Sequence, residues 1–405
     1  MAMADQPAGK SFRLSMLLYD TRYRSLTIQV IMLALFVAGV AWLLDNMYSN
    51  LAAQNKNPNF AFLSSPAGYD INQRLIEYTS QSSNARAWLV GLLNTLLVAF
   101  LGCILATVMG VLIGVLRLSK NWIVARLMTV YIESFRNVPV LLWIVFAMTI
   151  FIETLPAPNA FRGDNATSSM YLWDSIAFTN RGFYIPKPTF GDGSSVVLIV
   201  LALSIIGIFI FRKWAHARQE ATGDILPVFW VGLGMLIIPA TLAQLAMGLP
   251  VGLDYPALKG FNFKGGFHLR NSLISLWLAL SFYTAAFIAE AVRAGILAID
   301  KGQSEAAAAL GLRQKRVMSL VVLPQALRVI IPPLISQYLN LTKNSSLAIA
   351  VGYMDLTGTL GGITLNQTGR ALECILLLMI TYLAISLSIS MVMNVYNNSV
   401  KLKER

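Results

Sequence analysis

Between Lys301 and Arg328 the chain sets Gly302, Glu305, Ala306, Ala307, Gly311, Val321, Leu323 and Pro324 at fixed intervals, with Arg313, Lys315 and Arg316 among them. These residue types do not make a bond-breaking site. Alanine favours helix and leaves a smooth surface, and Gly311 stands where a helix would end in a left-handed residue. The arrangement predicts a short helix through Glu305–Ala309, a break at Gly311, a second short basic helix, and entry into a further helix at Pro324, where proline suits the first turn. The alanine block Ala306–Ala309 presents a small, smooth surface that could receive another protein's side chains, with Glu305, Arg313, Lys315 and Arg316 around it. The plain alternative is a helical loop with a positively charged anchor.

A second set of polar residues lies in or beside apolar runs. Glu290 and Arg293 are three apart, the spacing of an intrahelical ion pair; Arg370 and Glu373 repeat that spacing. Tyr283 and Glu290, with Asn340, Lys343, Asn344 and Ser345, are the candidates for a substrate path. Lys343 and Asn344 follow Pro332-Pro333, where a break in the helix would expose backbone groups able to hold a carboxylate or an ammonium. The alternative for Lys343 is a lysine that reaches from a helix end to the interface.

These residues must be positioned by membrane helices. The chain has 405 residues, of which 56% are hydrophobic and only 12% charged, and its mean hydropathy is +0.64. A soluble chain of this length carries about 25% charged residues. Eight stretches are apolar enough to span a bilayer: 26–45, 88–116, 138–154, 196–211, 228–248, 272–292, 329–347 and 371–396. Of the 31 Lys and Arg residues, 20 fall in segments 1–25, 117–137, 212–227, 293–328 and 399–405. The positive-inside rule makes these cytoplasmic, with both termini, and explains the net charge of +12 without nucleic acid. Segments 45–88 and 155–195 become the long external connections, expected to cap that face rather than form domains. In the second span Gly102, Ala106, Gly110 and Gly114 recur every fourth residue, a small-residue ridge for close helix packing. Two cysteines and two histidines, far apart, give no metal or haem inventory. No G-x-x-x-x-G-K-[ST] phosphate loop is present, so any ATPase is a separate polypeptide.

The sequence from Glu305 to Pro324 resembles the EAA loop of ABC importer permeases, with Val321 where the usual form has Ile. In that family the loop carries the coupling helices that dock on the ATP-hydrolysing subunit. "YIESFRNVPVLLW" (131–143), "LSFYTAAFIAEAVRAGI" (280–296) and "LNLTKNSSLA" (339–348) look like the polar amino-acid branch, and the enlarged layout looks like the longer Aap/Bzt-type permease subunit of general L-amino-acid importers. The resemblance implies an all-α integral membrane protein of type I ABC importer architecture in the bacterial inner membrane. It divides the chain into a tail (1–25), an extra span with a periplasmic segment (26–87), and a transmembrane domain (88–398). That domain carries an insertion at about 155–271 and the EAA loop at 300–325. It implies ATP-driven import of L-amino acids by alternating access, no catalysis and no cofactor in this chain, and ATP and Mg used by the partner. The implied partners are two copies of an ATP-binding subunit, a second, non-identical permease and a periplasmic binding protein. The rival is a secondary transporter driven by an ion gradient, which would carry buried central carboxylates and leave the EAA pattern unexplained.

Overall fold

A computed structural model describes residues 21–54, 57–163 and 166–400. The N-terminal tail, except its last five residues, lies outside them. The described residues are mostly helical, and among them eight helical segments are long and apolar enough to cross a membrane. In chain order the helices are α1 (Thr21–Ala53), α2 (Asn84–Arg117), α3 (Trp122–Asn137), α4 (Val140–Thr154), α5 (Ser194–Thr222), α6 (Val228–Ala246), α7 (Asn271–Leu297), α8 (Lys301–Ala309), α9 (Gln314–Val317), α10 (Leu323–Asn344) and α11 (Ala371–Val400).

The centre of the bundle is α7, whose apolar window is 72% buried. Leu276, Leu280, Ile288 and Ala289 on it have no exposed surface. Helix α2 lies along it through the small-residue ridge. A Cβ added at Gly110 would stand 2.6 Å from the Cβ of Ile288, and one at Gly114 would stand 2.7 Å from the carbonyl oxygen of Ala289. Gly102 faces a different helix: its Cβ would come within 3.0 Å of Leu341 on α10. The ridge thus seats α2 against two neighbours, as small residues allow where backbones approach.

Segment 117–137, expected on the cytoplasmic side, is mostly the helix α3, and the third apolar span follows it from Val140. The Asn121 side chain caps α3 by accepting from Ile123 N–H and Val124 N–H. Val138 is extended, as a residue before proline must be, and Pro139 opens α4. Together α3 and α4 run antiparallel to α7: the Tyr131 hydroxyl donates to Phe282 O at 2.7 Å, and Ser275 meets Met148. Arg126, Glu133 and Arg136 lower the hydropathy of α3, which leaves it out of the third apolar span.

Helix α5 continues eleven residues past the expected end of span four. Ala, Arg, Gln and Glu are good helix formers, so the charged stretch, with His216, stays helical up to Gly223. Helices α5 and α6 pack on each other at the edge of the bundle.

The connections expected on the external side contain short strands that the sequence patterning missed. Strands β1 (Ala177–Thr179), β2 (Gly182–Ile185), β3 (Lys187–Phe190), β4 (Val251–Asp254), β5 (Ala257–Lys259), β6 (Asn262–Lys264) and β7 (Phe267–Leu269) form three small antiparallel sheets. β2 pairs with β7, and β3 with β4, so the connections on either side of the α5–α6 hairpin fold into one cap. Each strand has only three or four residues, too few for alternation to stand out. Segment 57–83 joins the same end, where the Tyr69 hydroxyl bonds Thr364 at 3.0 Å. This end of the molecule is called the cap end; the opposite end, which carries residues 298–322, is the loop end.

Candidate functional site

At the loop end the Asp300 carboxylate accepts from Gly302 N–H at 2.7 Å and caps α8. The helix closes with two backbone bonds: Leu312 N–H to Ala307 O at 3.3 Å, and Gly311 N–H to Ala308 O at 2.9 Å. This pair is a Schellman motif, which requires a left-handed residue, and Gly311 supplies it with φ +79°. Glu305, Ala306, Arg313, Lys315 and Arg316 are exposed. Ala307 departs from the expected docking surface. It is buried with Val317 and Val322 and packs toward Ile296 and Ile299, so it anchors α8 to its own bundle. The sequence reading also passed over Leu310, which is 83% exposed at the tip of the loop.

The second basic helix is not separate from span seven. α9 runs through a widened π turn (Met318–Val322) directly into α10. Pro324 lacks an N–H and would crowd the carbonyl four residues earlier, and the π turn makes room for it. Leu323 is partly exposed at this junction. Pro332 and Pro333 do not break α10 either; the helix continues to Asn344 before tightening to a 3-10 segment, Ser345–Val351.

Of the path candidates, Glu290 is committed elsewhere. Arg293 donates to it from Nη2 at 2.8 Å, the expected intrahelical pair, and Arg117 at the end of α2 also donates to it. The carboxylate therefore ties α2 to α7 at the loop end. Glu373 likewise receives Arg370 at 3.2 Å, and also Asn59 N–H at 3.1 Å. Tyr283 packs against Phe287. Asn340 and Lys343 are exposed, Asn344 is partly buried, and Ser345 is buried, its hydroxyl donating to Thr342 O. The structure does not gather these six residues into one site.

A polar cavity of about 340 Å³ lies at the cap end, between the cap and the ends of α4 and α7. Asn180 and Arg181 line it from the β1–β2 turn, Gln73 from segment 57–83, Arg270 and Asn271 from the start of α7, and Tyr353 from the bend after α10. None of the six path candidates lines it. Nearby, His268 Nε2 bonds Arg181 O at 3.0 Å and its ring stacks on Tyr184. Burial holds the His268 pKa below its usual value. The neutral ring then donates from Nε2 to that carbonyl.

Residues 222–402 match the binding-protein-dependent transport system inner membrane component family. Across the whole of both chains the protein is 56% identical to the glutamate/glutamine/aspartate/asparagine transport system permease protein BztB of Rhodobacter capsulatus. It is 47% identical to the general L-amino acid transport system permease protein AapQ of Rhizobium johnstonii, over 98% of this chain and 96% of that one. It is 44% identical to the putative amino-acid ABC transporter permease protein YhdX of Escherichia coli, over 94% and 95%. The chain belongs to this family of ABC transporter permeases. It is an inner-membrane transport subunit, and such permeases work with a separate ATPase and a binding protein. The ion-gradient alternative falls with this assignment.

Proposed function

We propose that the chain lines one half of the translocation path for L-amino acids and receives the ATPase on the loop between α7 and α10. The observation that carries this reading is the loop's construction. α8 is capped at both ends, anchored inward by Ala307, and presents Glu305, Ala306, Leu310 and the basic residues outward. A rigid element with an exposed apolar tip is what a partner groove would hold. The charge distribution supports a cytoplasmic loop end, cytoplasmic termini and a periplasmic cap.

Asn340 and Lys343, exposed on α10, fit a face turned toward a second, non-identical permease, with two ATPase copies below. The relatives' names support amino acids as cargo, and the enlarged insertion supports the domain limits 88–398 and 155–271. Mild-detergent purification followed by mass spectrometry tests the reading. Recovery of an ATPase with a phosphate loop, reduced by substitution at Leu310 or Glu305, is expected, together with ATP-dependent amino-acid uptake in proteoliposomes. Uptake that proceeds under an ion gradient without ATP would overturn it.

A further inference from the structure

The cap-end cavity carries charge and hydrogen-bonding groups that the folded chain leaves unmatched. Arg181 and Arg270 line it, and no Asp or Glu does. Neither arginine takes part in an ion pair among the described residues. Apart from three tryptophan N–H groups, the buried side-chain polar atoms without a partner among the described residues are Arg270 Nε, Asn180 Oδ1, Asn271 Oδ1 and Asn94 Oδ1. The first three belong to cavity-lining residues. Asn94 stands directly behind the wall, donating to the carbonyls of Gln73 and Met354 at 2.7 and 2.8 Å.

Buried polar groups are normally paired, and each exception calls for an explanation. Three in the lining of one cavity call for a common one. The wall is also held firmly: Asn271, only 2% exposed, donates to Asn180 O at 2.7 Å, and Asn180 N–H bonds Pro156 O at 3.0 Å. The volume suits a small molecule.

A guanidinium without a counter-ion, beside amide oxygens without donors, is the complement of a zwitterion. We infer that this cavity is an antechamber for the transported amino acid, its carboxylate drawn by the Arg270 and Arg181 that line it, and its ammonium reaching the amide oxygens of Asn180 and Asn271, closed off in this conformation, when the wall opens. This rests on the reading of the chain as an amino-acid permease. Charge-assisted, bidentate capture by arginine fits a carboxylate better than any neutral group.

The test uses the assembled transporter in proteoliposomes with its binding protein, measuring uptake of L-[³H]glutamate per ATP hydrolysed. Arg270→Gln is expected to lower that ratio about tenfold, the effect of losing one charged hydrogen bond, and Arg270→Lys to restore part of it. Arg181→Glu, on the exposed turn, is expected to lower it as well, and this variant decides the matter if Arg270→Gln fails to assemble. An unchanged ratio in both would overturn the antechamber while leaving the importer reading intact. A rise in the binding-protein concentration needed for half-maximal ATP hydrolysis, with the ratio kept, would show a docking surface for that protein instead. Absence of amino-acid uptake by the unaltered transporter would overturn both readings together.

Discussion

Gly311 is the residue on which the loop's geometry turns, and its substitution separates backbone effects from contact effects. Its φ is +79°, and a Cβ built there meets nothing within 4 Å. A side chain at this position would meet no steric clash in the unbound chain, so the cost is conformational. An L-residue in the left-handed region costs about 1–2 kcal/mol, more for a β-branched side chain and less for asparagine. Gly311→Val is therefore expected to shift α8 away from its Schellman ending and lower the population of the docking geometry by about 5–30-fold. The spans are not involved, so the thermal midpoint in detergent should stay within a degree or two. Titration of the ATPase onto the purified permease, with ATP hydrolysis stimulated by the loaded binding protein, reads the effect. Gly311→Asn should bind and couple nearly as well as the unaltered chain. Equal loss in Val and Asn variants would mean that bulk at the interface, rather than backbone strain, is what matters. Full coupling in the Val variant would refute the role assigned to this turn.

Three further outcomes follow from the packing and the buried charges. Gly110→Ala places a Cβ 2.6 Å from the Ile288 side chain and 3.1 Å from the Ala285 carbonyl; overpacking of this kind costs about 1–3 kcal/mol and should lower the thermal midpoint, whereas Gly39→Ala, with nothing within 4 Å, should leave it unmoved. Glu290→Gln removes the anion shared by Arg117 and Arg293; the expected loss is about 1.5–3 kcal/mol, read as a lower denaturation midpoint, and a midpoint equal to the unaltered chain's would show that the tie between α2 and α7 contributes nothing. Asp355, in the bend between α10 and α11, has no exposed surface, and burial raises its pKa to about 6 although Gly358 N–H and the Tyr382 hydroxyl donate to it. The folded chain then holds a proton that the unfolded chain has lost between about pH 4 and pH 6, so stability falls as pH rises through that window and the penalty is fully present above it. Asp355→Asn should flatten that slope and raise the midpoint at pH 7.5, and an unchanged slope would show that Asp355 is not the group responsible.

The sequence made the loop end legible because its signals are local. An alanine run and a glycine mark α8 within a few residues, though its start at Lys301 behind the Asp300 cap went unread, and Pro324 marks where α10 begins. The long apolar runs were legible for the same reason, since a bilayer-spanning helix is read from its own composition. What escaped depends on partners distant in sequence. α3, though charged, lies along α7 because Tyr131 and Phe135 have Phe282 and Trp143 to pack against. Glu290 looked like a local pair because Arg117 lies 173 residues away. The cap strands are too short to show alternation and exist through pairing across the α5–α6 hairpin. The cavity draws its wall from five separate segments, none of which carries a signal alone.

The placement of the loop and the cavity on the same two helices gives a physical route between them. α7 begins at the cavity with Asn271 and ends at the loop with Leu297; α10 begins at the loop with Leu323 and leads, through Ser345–Val351, to the bend at Tyr353. Near the loop end they are packed too closely to slide independently. A Cβ at Gly295 would fall 2.4 Å from Ile330 and 3.3 Å from the Ala326 carbonyl. A displacement of α8 by the ATPase is therefore passed to α7 and α10 together, as a rigid body, rather than absorbed between them. At the far end the same motion must act on the cavity wall, because Arg270 and Asn271 ride on α7 while Asn180 and Arg181 belong to the cap. Opening that wall would break the 2.7 Å bond from Asn271 to Asn180 O and strain the β2–β7 pairing and the His268–Arg181 bond beside it, so the bond is one of the contacts opposed to the stroke. It follows that Asn271→Ala, which removes the bond without touching the loop, should ease opening and raise ATP hydrolysis in the absence of loaded binding protein. A variant whose unstimulated hydrolysis stays at the unaltered level would refute this route from loop to cavity.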